Sequence, residues 1–161
     1  MRGKLLMVAM GTLAIIPRAT AQGVPSRTVL TLDLAIKLAQ ESLAACRANG
    51  VKVTALVVDA LNMPKALMRE DGAPASSTET AKMKATTAML YDRPSGPPQP
   101  LAPGATPPPA VIPGTVNTPG AFPIKVEGVT IGAIAVSGAP LPAQDAACAM
   151  AALAKVADQL K

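Results

Sequence analysis

Eleven prolines occur from Pro94 to Pro123, and no regular helix can run through such a stretch. Each proline fixes φ at about −65°, removes a backbone donor and clashes with the preceding turn. The segment C-terminal to the stretch is too short to fold alone, so the stretch does not read as a linker between domains. It reads instead as a long loop, over about 94–122, inside one domain, and the segments on either side must share one core. Such a loop is either disordered or functional, and the residues alone leave both open. The length of 161 residues and the 50% hydrophobic content suit a single core.

The N-terminus reads as an export signal. Met1-Arg2-Gly3-Lys4 is basic, Leu5 to Ile16 is apolar, and Ala19-Thr20-Ala21 has the small-x-small pattern of a cleavage site. The apolar run is too short to span a bilayer core of about 30 Å, which takes about 20 helical residues. Residues 1–21 are therefore expected to be a signal peptide cleaved after Ala21, 22–29 a linker and 30–161 the folded domain, in a periplasmic or secreted protein with no stable membrane span. Removing Arg2, Lys4 and Arg18 from the fifteen basic residues leaves twelve against ten acidic ones, a net of +2. With so small a charge, no Trp, one Tyr and one Phe, the chain offers nucleic acid neither an electrostatic footprint nor a stacking surface.

Along the domain, Leu32, Ala35, Ile36, Ala39, Leu43 and Cys46 recur at helical spacing after Thr31, and Asn49-Gly50 supplies a left-handed stop, which predicts a helix over about 32–48. Val51 to Asp59 is β-branched and turns continuously apolar, as a central strand does, with Lys65 to Arg69 as its hairpin partner. Ser76 and Glu79 have the spacing of a capping box opening a helix that runs to about Leu90. Ala81, Ala85 and Ala88 make one face of it small, suited to close packing on a sheet or to a flat ligand. Ile124 to Glu127 and Val129 to Ser137 read as a hairpin turning at Gly128, with Gly132 where a second backbone or a ligand comes close. A last helix is expected over about 143–160. The fold class is then α+β, in the order α-β-β-α-loop-β-β-α, with an antiparallel sheet and the two terminal helices side by side on one face.

Cys46 lies near the end of the first helix and Cys148 near the start of the last, so antiparallel pairing of these helices brings them together. In an oxidising compartment they are expected to form a disulfide, the alternative being two small buried hydrophobes.

Several segments in order carry a resemblance. They are Leu30-Thr31-Leu32, Val57-Val58-Asp59, Arg69-Glu70-Asp71-Gly72-Ala73, Lys84-Ala85-Thr86-Thr87-Ala88, Arg93-Pro94-Ser95, Phe122-Pro123-Ile124, Gly132 through Gly138, and Gln144-Asp145. With them the chain resembles the GlcG/HbpS-like haem-binding family. The resemblance implies a profilin-like sandwich, assembly into homo-oligomers, and a haem or related tetrapyrrole ligand, corrinoids included. Two departures stand out: Gly120-Ala121-Phe122 replaces a Gly pair before the Pro-Ile strand, and the preceding segment, often partly helical in relatives, is here proline-rich.

The chain contains no histidine. That excludes a Ser-His-Asp triad, a Cys-His pair, His-ligated zinc and a proximal-His haem. No Ser-x-x-Lys, Cys-x-x-Cys or phosphate-binding glycine loop occurs either, so a binding protein is expected rather than an enzyme. Tyr91, at the end of the second helix, is the first candidate for an axial haem ligand, with Arg93 as a propionate partner. The alternative is that Tyr91 packs on the core with its hydroxyl at the surface. Met68, Met83 and Met89 are further sulfur donors in principle, but at their spacing also core filler. Lys84, Arg69 and Phe122, which lie in the family-like segments, complete the candidate ligand-binding set. Lys84 either reaches a ligand carboxylate or pairs with a buried acid such as Asp59, while Lys82 points some 200° away around the helix. Glu70 and Asp71, with Glu79, are weak candidates for a hard-cation site, or else a solvated turn and a helix cap.

Two other functions fit the residues. In one, the chain is an oligomeric interaction protein whose proline-rich loop engages a partner. In the other, suggested by the family alone, it is an accessory in small organic acid metabolism.

Overall fold

A computed structural model describes residues 28–96 and 112–160. The expected signal peptide, nearly all of the linker and the middle of the proline-rich loop lie outside the described residues.

The elements keep the expected order: α1 (Leu32–Ala48), β1 (Thr54–Asp59), β2 (Pro64–Arg69), α2 (Ser77–Tyr91), β3 (Ala121–Val126), β4 (Val129–Ser137) and α3 (Pro142–Lys155), closed by a 3-10 turn at Ala157–Gln159. The strands form one antiparallel sheet in the order β2-β1-β4-β3. Its two central strands come from opposite sides of the proline-rich loop, which explains why neither half of the domain has a core of its own.

Alternation along β1 divides the core in two. Ala55 and Val57, with Ile134 and Val136 of β4, face the cluster built by Leu38, Ala39, Ala149 and Ala152 of α1 and α3. Leu56 and Val58, with Ala133 and Ala135, face Ala81, Ala85 and Ala88 of α2. The terminal helices thus share one face, as expected, and α2 covers the other. The α2 alanines are packed against the sheet rather than left open for a flat ligand.

Boundaries differ from the sequence reading in several places, beginning with β1, which starts at Thr54 rather than Val51. β3 begins at Ala121 rather than Ile124 and runs through Pro123; it is an edge strand, where a missing N–H costs the ladder nothing. The capping box at Ser76 does not form. Ser76 itself has helical φ and ψ, so its hydroxyl does not turn back onto the first helical amides as a β-region cap does; Ser77 N–H donates to Pro74 O instead, and Glu79 pairs with Lys82 at 2.8 Å. The last helix stops at Lys155, with Val156 breaking the α geometry at φ −116° before the 3-10 turn.

Gly132 meets a second backbone: a Cβ there would run into the carbonyl of Val58 and lie 3.0 Å from Leu30 Cδ2.

Short connections make α1 antiparallel to β1 and α3 antiparallel to β4, so α1 and α3 run antiparallel to each other. Cys46 and Cys148 meet there as a buried disulfide, with Cα atoms 5.4 Å apart and a sequence separation of 102. A bridge closing so long a loop removes much chain entropy from the unfolded state, about 4–5 kcal/mol in the loop-closure treatment. Replacing both cysteines by alanine is expected to lower the unfolding free energy by an amount of this order. Urea unfolding of the oxidised protein and the double variant checks it.

Candidate functional site

The small alanines of α2 bring that helix close to the sheet, and among them Lys84 is 1% exposed. Its ammonium finds two acceptors inside the protein. Nζ donates to Asp145 Oδ2 at 2.7 Å and to the carbonyl of Val136 at 3.0 Å. Asp145 sits in the first turn of α3, and its Oδ1 accepts the Ala139 N–H at 3.0 Å. The pair therefore joins helices on opposite faces of the sheet, around the end of β4. Gly120, at φ +136°, leaves the passage clear: a Cβ there would stand 2.7 Å from Lys84 Nζ and 2.5 Å from Val136 O. Burial pulls the Lys84 ammonium below its ordinary value and pushes the Asp145 carboxyl above its own, each shift opposed by the partner's hydrogen bond and charge.

The expectation that Lys84 is paired with a buried acid holds, but the acid is not Asp59. Asp59 ends β1 at the other end of the sheet, opposite Gly132, where its Oδ1 accepts the N–H groups of Leu61 and Met63 in the β1–β2 turn. The acidic first turn of α3 was the sequence signal for the true partner, since a carboxylate is favoured at a helix N-terminus.

A cavity of about 250 Å³ opens beside this pair. Ser76, Thr80, Thr118 and Ser137 line it together with Lys84 and Asp145.

At the opposite end of α2, Tyr91 is half-buried and Arg93 lies across its ring, with Cζ 5.1 Å from the centroid. Arg93 Nη1 donates to the carbonyls of Pro94 and Gly96, at 2.9 and 2.7 Å. Between them Asp92 caps the helix in the left-handed conformation, and its carboxylate accepts from Lys125 Nζ and Thr130 Oγ1. Those hydrogen bonds hold the Asp92 carboxyl below its ordinary value. Sequence reasoning missed this residue; the Tyr-Asp-Arg-Pro stop of the helix was its only signal.

Lys84 and Tyr91 are seven residues apart, about 10 Å along the helix axis, and Tyr91 is not among the residues lining the cavity beside Lys84. Thr87 lies between them, donating to Val116 O at 3.0 Å and accepting from Val116 N at 2.9 Å. The candidate ligand-binding set is thus divided where the chain returning from the proline-rich loop is fastened to α2.

The remaining candidates do not converge on either place. Arg69 ends the edge strand β2 and donates to Ala73 O. Phe122 and Met68 pack on the cluster under α1 and α3, the sheet face opposite α2. Met83 and Met89 are half-buried on α2, Met89 against the alanine cluster. Glu70 accepts from Arg47 Nε at 2.8 Å, and Asp71 is exposed in the turn after it. Among the described residues no group of three His, Cys, Asp or Glu side chains is placed to hold a metal ion.

Residues 30–154 match the family model described as haem degrading protein HbpS-like. Among solved structures the chain is similar to HbpS, at 28% identity over 86% of this chain and 97% of that one, with a TM-score of 0.71. A double mutant of Streptomyces reticuli HbpS gives 28% identity, 89% and 98% coverage and a TM-score of 0.70. A PduOC–haem complex shares the fold, at 24% identity, 79% and 94% coverage and a TM-score of 0.66. A search of curated proteins gives no match.

Removing one partner of the Lys84–Asp145 pair leaves the other charged and buried, which costs about 3–5 kcal/mol. Lys84→Met and Asp145→Asn are each expected to lower stability by an amount of that order, and Lys84→Met with Asp145→Leu to recover most of it. Urea unfolding of the three variants at neutral pH measures the effect.

Proposed function

The chain belongs to the HbpS-like haem-degrading family, and from that premise we propose that it is an exported protein that binds haem or a related tetrapyrrole as a carrier, buffer or sensor accessory. The observation that carries this reading is the meeting of the chain's single tyrosine with an arginine at the C-terminal end of α2. With no histidine in the sequence, a phenolate is the strongest oxygen donor the chain can offer to ferric iron. Arg93 keeps donors beyond the Nη1 contacts, and guanidinium is the group best shaped to hold a propionate carboxylate. The donor set at this end of α2 therefore fits a haem, with Tyr91 as axial ligand and Arg93 as propionate partner. A bound haem supplies a redox-active iron; the chain's own residues supply its ligand and its counter-charge.

In this reading the ligand lies against the surface at the C-terminal end of α2, where Tyr91 is half-buried. A second copy covering that surface would bury it, which is consistent with the homo-oligomer implied by the resemblance. Binding rather than turnover is proposed because Lys84 and Asp145, an acid and a base in contact, are both engaged in joining α2 to α3. Export is supported by the Cys46–Cys148 disulfide, which persists in oxidising compartments. No helix among the described residues is long and apolar enough to cross a membrane.

Hemin titrated into tag-free protein is expected to give a saturable Soret shift. Tyr91→Phe should weaken binding by about tenfold or more, which corresponds to about 1.4 kcal/mol, and Arg93→Gln by less. Non-saturating absorbance, or a Tyr91→Phe protein that binds as well as the parent, would overturn the proposal.

A further inference from the structure

The cavity at the start of α2 has no part in the tetrapyrrole reading, yet polar side chains line it. Lys84 carries three N–H bonds, of which two are taken by Asp145 and Val136. Ser137 is 4% exposed and lines the cavity, and among the described residues its hydroxyl makes no hydrogen bond. It lies opposite Thr54 on the α2 face of the sheet, where the neighbouring hydroxyls of Thr54 and Ser77 have already found each other at 2.7 Å. A hydroxyl at the cavity wall can act toward a ligand as donor or acceptor. The first turns of α2 and α3, at Ser77 and Pro142, also border the cavity, and helix N-termini carry partial positive charge.

We propose that this cavity is a binding site for a small monocarboxylate, held by the third N–H of Lys84 and the hydroxyls of Ser137 and Thr118. Size and charge select that class. A volume of about 250 Å³ equals about eight waters at roughly 30 Å³ each, and falls below the roughly 300–1,000 Å³ of pockets that enclose drug-sized ligands. It matches an acid of a few carbon atoms and is too small to enclose a macrocycle. Lys84 and Asp145 cancel as whole charges, so the remaining attraction comes from helix ends and hydroxyls. That suffices for one negative charge, while a dianion meets added repulsion from the Asp145 carboxylate. Two oxygens on one carbon match donors on two sides of the cavity.

The same carboxylate chemistry could come from a tetrapyrrole's propionate, but the Thr87–Val116 contacts stand between this cavity and Tyr91, so a free acid is the occupant the geometry favours. The proposal does not depend on haem binding.

The test is an amide chemical-shift titration of the full chain with sodium acetate at constant ionic strength, with acetamide and inorganic phosphate as parallel probes. Acetate is expected to move the Ser77, Ser137, Gly138 and Ala139 amides saturably, and the other two probes not to saturate over the same range. Ser137→Ala with Thr118→Val should weaken acetate binding at least tenfold while leaving the hemin titration unchanged. Should the double variant fold poorly, Ser137→Ala alone is expected to weaken acetate binding severalfold. Non-saturating or scattered shifts overturn the site. Equal binding of acetamide or phosphate overturns the ligand class, and unchanged binding in the variants overturns the assigned residues. If hemin displaces acetate competitively, the occupant is a propionate and the free-acid assignment fails.

Discussion

The arrangement of this domain turns on one buried ion pair. A lysine on the helix beneath the sheet and an aspartate on a helix above it meet around the end of β4, and each is further satisfied by a backbone group. An isolated charge in such a place would be expelled or neutralised; a pair with its remaining hydrogen bonds supplied is tolerated, and in return it locates both helices. Hydrophobic packing alone gives α2 little to register on, because its buried face is almost wholly alanine. Gly120 leaves room for Lys84 to meet Asp145, and Thr87 fastens the chain around Val116 to the same helix.

The second constraint is topological. β1 and β4 are hydrogen-bonded over six residue pairs, although the proline-rich loop lies between them in the chain. The disulfide repeats the connection one layer up, tying α1 of the first half to α3 of the second. The loop can therefore be long and irregular without loosening the core, because the cost of closing a loop grows only slowly with its length.

Much of this was legible from residues alone, for reasons that can be named. Helix α1 was bounded correctly because its stripe of apolar residues and its Asn-Gly stop agree. The order of elements, the shared face of the terminal helices, the close approach at Gly132 and the disulfide all came from local pattern plus the rule that apolar faces must be covered. The errors arose where tertiary context outweighs local pattern. Pro123 argues against a strand until the strand is known to be at an edge. Ser76 and Glu79 have capping spacing, but only the backbone conformation decides whether a hydroxyl can turn inward. Lys84's partner lies 61 residues away, a distance at which spacing carries no information. The candidate site was legible as a set of residue types and not as a place: Tyr91 and Arg93 do meet, whereas Arg69 and Phe122 are carried off by an edge strand and by the opposite face of the sheet.

The pairing of β1 with β4 also sets an order of events. A chain that emerges from a ribosome or a translocation pore N-terminus first presents α1, β1, β2 and α2 well before the strand that must lie beside β1 and the helix that covers α1. Until the final forty or so residues arrive, the first half has an unfilled slot in its sheet and one unpaired thiol. Such non-local pairing slows folding, so closure of the sheet waits for the last strand to arrive.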